Sequence, residues 1–271
     1  MAALPRPLRA RVLVVDDNTV NQKVALLILE KLGCQVDVAT NGKEAIAMLE
    51  LLPYDAVFMD CEMPEMDGYE ATAEIRRRHT GSRHVPIIAL TAKALRGDRE
   101  RCLEAGMDDY IAKPVRPKDL EAALTRWVSG NGNTVASGDE SAPTSTPSEA
   151  ATPALDPVVT ARLRELAAAT DPTVLSEIYE VFLSSAIEYL AKIHKGLTTN
   201  NAEELRKAAH AFRGASASIG AHCLTELCHQ MESLGEARQV DGAVKIAEQV
   251  EQEFARVKNE VEKQTAKEAT V

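Results

Sequence analysis

Five short apolar segments in the first 128 residues are each followed by a stretch with the spacing of a helix. Strict alternation of strand and helix with short connections predicts a parallel sheet that is covered by helices on both faces. Three segments (11–16, 56–60 and 87–91) are almost wholly apolar and should be central, whereas 35–39 alternates polar and apolar residues as an edge strand does. The pattern predicts a five-stranded parallel sheet in the order 2-1-3-4-5, the flavodoxin-like class of α/β fold.

Polar side chains stand where these predicted strands end: Asp16 and Asp17, Asp60, Thr91 and Lys113. Because parallel strands end at one edge of a sheet, we expect these groups to meet there. Three carboxylates repel one another, and Mg²⁺ would resolve the repulsion while leaving room for a phosphate oxygen. Lys113 and Thr91 would serve the other phosphoryl oxygens. The pattern therefore predicts phosphoryl transfer, with Asp60 as the nucleophile that forms an acyl phosphate.

The other interpretation of such a residue is structural, since a lone aspartate at a strand end is more often the N-cap of the next helix. Five groups at the ends of strands of one sheet form a much more specific pattern than any one of them.

The composition and the predicted secondary structure of the chain change after residue 128. Residues 129–154 are dominated by small and polar residues and by proline, and are predicted to be a flexible linker. From residue 155 onwards, Asp156-Pro157 and Asp171-Pro172 read as helix starts, and four apolar stripes recur at spacings of three and four. We predict a first domain at 10–128 and a four-helix bundle at 155–264 with a short leading helix at 157–168.

His210 is the informative residue of the predicted bundle, because it lies beside an apolar stripe and should be reachable by solvent. Lys207 and Arg213 would attract a phosphoryl group and, by like-charge repulsion, favour the neutral imidazole. Gly214 costs a helix about 1 kcal/mol relative to alanine, which suits the close approach of another protein. An inert surface histidine is the commoner case, and these neighbours are the argument against it.

The first domain closely resembles the receiver domain of two-component response regulators over residues 10–128. The resemblance lies in four motifs: Asp16-Asp17, the segment from Met59 to Gly68, Ala-Leu-Thr91-Ala and Tyr110-Ile-Ala-Lys113-Pro114.

The resemblance implies roles for these residues. Asp60 would be the phosphoacceptor, with Asp16, Asp17 and the backbone carbonyl of Glu62 as further ligands of Mg²⁺. Thr91 and Tyr110 would move inward on phosphorylation. A cis peptide bond would join Lys113 to Pro114.

Residues 155–264 are similar to histidine-phosphotransfer (Hpt) domains, through the segment 209–221 around His210. That family usually has lysine where Arg213 stands, so the charge is kept. Such bundles hold a phosphohistidine and have no ATP site. Together the two resemblances suggest the C-terminal part of a hybrid sensor histidine kinase.

Composition excludes other classes of function. The net charge is −10, and neither half has the basic surface of a nucleic-acid-binding protein or of one attracted to anionic membranes. No apolar run is as long as a membrane span, and the start of the chain lacks the apolar region of a signal peptide. Five scattered cysteines indicate reduced thiols. We expect a soluble, cytoplasmic protein.

The primary hypothesis is a phosphorelay. Asp60 would accept a phosphoryl group from the phosphohistidine of an upstream kinase, and His210 would carry it to or from an aspartate of a downstream response-regulator receiver. No ATP-binding kinase domain is present in these residues, so the chain would be a phosphotransfer protein or part of a hybrid kinase. The sequence leaves open the signal, the cognate kinase, the oligomeric state, and whether transfer is within one chain or between chains.

Three alternatives have support in the sequence. The bundle could be a non-catalytic interaction or adaptor module that the first domain switches. Glu62, two residues after the nucleophile, suits a hydrolase that forms an aspartyl phosphate. Finally, a helix carries the pairs His222-Cys223 and Cys228-His229, which could suggest zinc, although their faces diverge and core packing explains them better.

Overall fold

The computed structural model describes residues 9–78, 84–91, 96–128, 153–168 and 173–268. Most of the predicted linker, and the predicted helix start at 171–172, lie outside these residues. The first domain alternates strand and helix throughout. Its elements are β1 (Arg11–Val15), α1 (Thr19–Lys31), β2 (Gln35–Ala39), α2 (Gly42–Leu51), β3 (Ala56–Asp60), α3 (Gly68–Arg78), β4 (Ile87–Thr91), α4 (Arg96–Glu104), β5 (Asp109–Ala112) and α5 (Pro117–Trp127).

The five strands form one parallel sheet in the order β2-β1-β3-β4-β5, which confirms the predicted fold class. The apolar strands β1, β3 and β4 are central, and the alternating strand β2 lies at an edge. In this register Val15 pairs with Met59, Asp60 with Leu90, and Thr91 with Ala112. The carboxyl ends of the strands therefore open on one edge of the sheet.

The second part of the chain is helical. It consists of α6 (Pro157–Ala168), α7 (Val174–Thr198), α8 (Ala202–Ser218), α9 (His222–Glu236) and α10 (Val240–Glu268). The apolar stripes meet in a common core, in which the rings of Phe182, Phe212 and Phe254 lie 6.1–6.4 Å apart. The predicted helical bundle with a short leading helix is confirmed, while the exact domain boundaries stay predictions.

Helix α1 belongs to both halves of the molecule. One side of it packs on the sheet, and another contacts α6, α7 and α8 of the bundle. A single apolar cluster consequently extends from β1, α1 and α5 into the bundle, while a second cluster lies between the other face of the sheet and its helices. The bundle is thus docked at α1, next to the edge where the strands end.

Gly68 fixes the turn that follows β3. A Cβ atom on this residue would lie 2.1 Å from the backbone oxygen of Asp60. We expect Gly68→Ala to lower the free energy of unfolding by about 1–3 kcal/mol, since backbone must shift to make room. Gly242→Ala is the control, because its Cβ would meet only a leucine side chain at 3.5 Å and should stabilise α10 by about 0.5–1 kcal/mol. Urea unfolding followed by circular dichroism measures both; equal effects would contradict this role of Gly68.

Candidate functional site

Three carboxylates converge at the end of the sheet. Asp16 and Asp17 directly follow β1, and Asp60 is the last residue of β3. Asp16 and Asp60 are buried, Asp17 is partly exposed, and one oxygen of each lies within 4.8 Å of the others. The backbone N–H of Asn18 donates to Asp16 Oδ1 at 2.9 Å and so holds the first carboxylate in place.

Lys113 is the cation that faces these carboxylates. It follows β5, its peptide bond to Pro114 is cis, and its Nζ lies 2.7 Å from Asp16 Oδ2 and 2.6 Å from Asp60 Oδ2. Burial acts to lower the pKa of Lys113, but the charges of Asp16 and Asp60 outweigh it and raise that pKa. Two short ion pairs therefore keep this ammonium charged.

One ammonium does not compensate three carboxylates. Burial raises the pKa of Asp60, and Lys113 only partly opposes the rise. Burial, with the charge of Asp16, raises the pKa of Asp17 to about 6. These groups are short of positive charge and offer closely spaced oxygen atoms, which are the ligands that Mg²⁺ prefers. The residues present therefore fit a divalent cation.

The other predicted residues of the first domain lie at different distances from Asp60. Thr91 ends β4, is buried and lines a cavity together with Asp60. Tyr110 lies on β5, partly buried against the apolar cluster of the sheet. The backbone N–H of Glu62 donates to Asp60 Oδ1 at 3.3 Å, but its side chain extends to the bundle, where Arg206 Nη1 lies 3.3 Å from its Oε2. This direction does not suit the hydrolase interpretation, in which Glu62 would act beside Asp60.

His210 lies on α8 and faces the first domain. Its side chain is 17 % exposed and lines a cavity, so solvent reaches it only in part, because the end of the sheet lies against that face of the helix. Its Nδ1 lies 2.8 Å from Oε1 of Glu232, a buried residue of α9. An ionised carboxylate only accepts hydrogen bonds, so Nδ1 carries the hydrogen, and in the neutral ring Nε2 keeps its lone pair.

The charge around His210 is the reverse of the sequence-based expectation. Burial acts to lower the pKa of His210, but the hydrogen bond with Glu232 and the charge of Glu62 outweigh it and raise that pKa. Burial acts to raise the pKa of Glu232, but His210 and Arg213 lower it overall. The prediction that basic neighbours favour the neutral imidazole was wrong, because the carboxylates of Glu232 and Glu62 lie beside the ring.

The basic and small residues near His210 in the sequence make different contacts. Arg213 Nη1 lies 3.1 Å from Glu232 Oε2, so this side chain supports the buried carboxylate. Lys207 is exposed and pairs with Glu203 at 3.3 Å. Gly214 faces α1, and a Cβ atom on it would lie 3.3 Å from Nδ2 of Asn21. The close approach that Gly214 predicted is made by the first domain of the same chain.

The two halves share a cavity of about 230 Å³. Its lining includes Asp17, Asp60 and Lys113 from the first domain and His210 from the bundle. The carboxylate and the imidazole that the sequence singled out separately are thus brought to the same space.

Polar contacts of α1 hold the halves together. The side-chain amide of Asn18 donates to the backbone oxygen of Ala211 at 2.8 Å, while its own Oδ1 accepts from backbone N–H groups at the start of α1. The hydroxyl of Ser218 donates to Asn21 Oδ1 at 2.7 Å. An asparagine directly before a helix is recognisable as an N-cap from the sequence, but nothing in the sequence indicates this second contact.

The residues of the zinc alternative do not converge. His222 Nε2 pairs with Asp156 at 2.8 Å, Cys228 is buried, and His229 lies beside Arg213. In the described parts of the chain, the groups with metal-ligand spacing are the three aspartates and the set of Glu62, His210 and Glu232. The latter set faces Arg206 and Arg213, which disfavours a cation.

Two known families match the two halves. The family model described as the response regulator receiver domain matches residues 12–125, and the Hpt domain matches residues 177–260. The chain is a receiver domain followed by an Hpt domain. The four motifs that carry the resemblance to receivers lie within the first match, and His210 and Glu232 lie within the second.

Curated relatives that match most of this chain are longer proteins. The chain is 31 % identical over 222 residues to the aerobic respiration control sensor protein ArcB of Escherichia coli, covering 82 % of this chain and 27 % of the relative. It is 30 % identical over 230 residues to the signal transduction histidine-protein kinase BarA of Shigella flexneri, covering 82 % and 23 %. The chain thus spans about a quarter of the length of these relatives.

Solved structures with similarity to this chain include the receiver domain of the Pseudomonas aeruginosa sensor histidine kinase PA1611, with magnesium in its active-site cleft. It is 50 % identical and covers 45 % of this chain and 98 % of that one, with a TM-score of 0.42. A second is the complex of yeast Ypd1 with the receiver domain of Ssk1, at 30 % identity, with 47 % and 94 % covered and a TM-score of 0.44. Among the described helices of the present chain, none has the length and apolarity needed to cross a membrane.

Proposed function

We propose that this chain is a phosphorelay protein, in which Asp60 accepts a phosphoryl group and His210 exchanges it with Asp60. One observation carries this proposal: Asp60, Lys113 and His210 line a single cavity although they come from different domains. The shared cavity also supports transfer within one chain, a point that the sequence leaves open.

Asp16, Asp17 and Asp60, with the backbone carbonyl of Glu62, would hold Mg²⁺. When bound, the ion supplies positive charge to the phosphoryl oxygens. Asp60 in its ionised form attacks the phosphorus of the donor phosphohistidine, so a P–O bond forms and the P–N bond breaks. Lys113 neutralises one phosphoryl oxygen, and the Thr91 hydroxyl donates to another. Positioning and charge neutralisation are most of what such a transfer requires.

His210 is the next acceptor. Its Nε2 attacks the acyl phosphate, the new P–N bond forms, and the carboxylate of Asp60 leaves. The ring becomes positively charged, and Glu232 stabilises that charge through its hydrogen bond to Nδ1. Arg213 holds Glu232 in place, which gives it an indirect role, and Tyr110 would respond to phosphorylation of the receiver together with Thr91.

The partners that fit this chemistry are an upstream histidine kinase and a downstream response-regulator receiver. The histidine-kinase names of the relatives support the first of these. All five cysteines are free in the structure, which supports a reducing compartment such as the cytoplasm. The alternative of a non-catalytic bundle would leave His210 unphosphorylated.

The test uses radiolabelled acetyl phosphate and Mg²⁺ with the whole chain. Wild type should acquire an acid-labile label on His210, and Asp60→Asn should abolish it. His210→Gln should keep only a hydroxylamine-sensitive label on Asp60. His222→Gln, which changes an exposed imidazole of the same bundle, should behave as wild type. Undiminished labelling of His210 in Asp60→Asn would contradict the transfer from Asp60 to His210. A wild-type chain labelled on Asp60 alone would favour the alternative in which the bundle is a non-catalytic adaptor.

A further inference from the structure

We propose that the face of α8 around His210 is an exclusive docking surface. This chain's own receiver occupies it through α1, and the receiver of another protein reaches His210 only after the chain's own receiver has left. The covering of His210 rests on geometry alone, whereas the exchange of receivers rests on the proposed function.

The contacts follow α8 from His210 onwards. Asn18 binds the backbone oxygen of Ala211, Gly214 allows the approach of Asn21, and Ser218 donates to the same Asn21. These positions span two turns of α8, or about 10 Å at about 1.5 Å per residue. His210 lies at one end of this strip, so a second receiver that places its aspartate against the ring must cover the same positions.

The edge of the docked surface is polar. Lys23 of α1 pairs with Glu177 of α7 at 2.7 Å, and Thr19 Oγ1 lies 3.4 Å from Ser185 Oγ. Both members of the ion pair are substantially exposed, so each such contact contributes little and the surfaces can separate.

Return of the receiver is favoured because both surfaces belong to one chain. For a flexible connection of the predicted kind, the effective concentration is on the order of millimolar. A separate receiver in solution must compete with that value. The bundle therefore binds its own receiver most of the time, and it binds a second receiver only while its own receiver is detached.

Variants at the contact between the domains separate them, and Lys23→Glu does so without altering α8. Lys23→Glu places like charges at the Lys23–Glu177 contact, and Lys23→Glu with Glu177→Lys restores opposite charges. Gly214→Leu is a second way to separate the surfaces, because even a Cβ atom there approaches Asn21 closely.

The first measurement is carbethoxylation of histidines in the whole chain by diethyl pyrocarbonate, read by peptide mass spectrometry, with exposed His222 as the internal reference. Wild-type His210 should react slowly relative to His222. Its relative rate should rise about threefold to tenfold in Lys23→Glu, rise at least as much in Gly214→Leu, and return towards wild type in the charge swap. Fast reaction in wild type, or equally slow reaction in all variants, would overturn the covering.

The second measurement follows delivery. A chain with Asp60→Asn is phosphorylated on His210 with phosphoramidate, and a second full-length chain with His210→Gln supplies the acceptor Asp60. Adding Lys23→Glu to the donor should speed transfer several-fold, and the charge swap should reverse the gain. Transfer at equal rates in all donors would overturn the competition, whereas no transfer in any donor would contradict the proposed function and leave the carbethoxylation result unaffected.

Discussion

Lys113→Met is expected to lower the free energy of unfolding of the metal-free receiver by about 3 kcal/mol, because removing one partner of a buried ion pair leaves uncompensated charge. Asp16 and Asp60 are both buried, and each is within 2.7 Å of this ammonium. The two carboxylates can take up protons, which keeps the loss from being larger.

The measurement is urea unfolding followed by the fluorescence of Trp127, the single tryptophan of the chain, which lies at the end of α5 in the receiver. Lys118→Met is the matched control, since Lys118 is an exposed lysine of the same domain and its loss should change the free energy by no more than about 0.5 kcal/mol. Mg²⁺ should recover part of the loss in Lys113→Met by replacing the missing positive charge. A loss of the same size with and without Mg²⁺ would contradict the assignment of the three aspartates as its ligands.

Glu232→Ala is expected to slow phosphoryl transfer from Asp60 to His210 by about 10- to 100-fold, since a hydrogen bond to a charged group contributes about 1.5–3 kcal/mol. The variant removes the acceptor that fixes the hydrogen on Nδ1 and the charge that stabilises the phosphorylated ring. Glu232→Gln retains an acceptor oxygen and should lose less.

Rapid-quench labelling of the whole chain gives these rates, with Glu248→Gln, an exposed glutamate of α10, as the control. Circular dichroism verifies that each variant is folded. A wild-type rate in Glu232→Ala would rule out a positioning role for this residue.

The pH dependence of the same variants separates charge from packing. The pKa of His210 is raised above its ordinary value of 6.5, so the transfer rate should increase as pH rises through this higher value and the ring becomes neutral. In Glu232→Gln the midpoint should move to lower pH. The contribution of the protonated ring to stability is complete below pH 6.5 and disappears above the folded pKa of His210. That of Glu232, whose pKa is lowered from 4.5, disappears as pH falls below 4.5.

The fold of the receiver could be predicted because the pattern of apolar and polar residues in each strand indicates where that strand lies in the sheet. Wholly apolar segments become the central strands, the alternating segment 35–39 lies at the edge, and short connections leave few topologies. The same logic placed Asp16, Asp60, Thr91 and Lys113 at one edge, since a residue at the end of a parallel strand has its position fixed by the sheet. These four predicted site residues therefore needed no tertiary information.

The bundle site was less predictable, because its partners depend on how helices pack. Glu232 lies 22 residues after His210 on a different helix. Nothing in the sequence distinguishes this glutamate from an ordinary exposed charged residue. Glu62 was assigned its backbone carbonyl, or in the hydrolase alternative a place beside Asp60, whereas its side chain crosses to Arg206. Contacts between domains leave no periodic signal, so the docking of α1 on α8 could not be read from either segment alone.

Asn18 shows how such an arrangement restricts the substitutions that a sequence tolerates. An aspartate at this position would still cap α1, but it would set a carboxylate against the carbonyl oxygen of Ala211. A serine would cap the helix and fall short of the bundle, and a glutamine would reach the bundle but is a poor cap. Asparagine alone combines the short acceptor and the donor that the two contacts require. A change at this position would therefore lose either the cap of α1 or the contact with the bundle, so the docking of the two domains narrows the choice of residue at a position that capping alone would leave open to several.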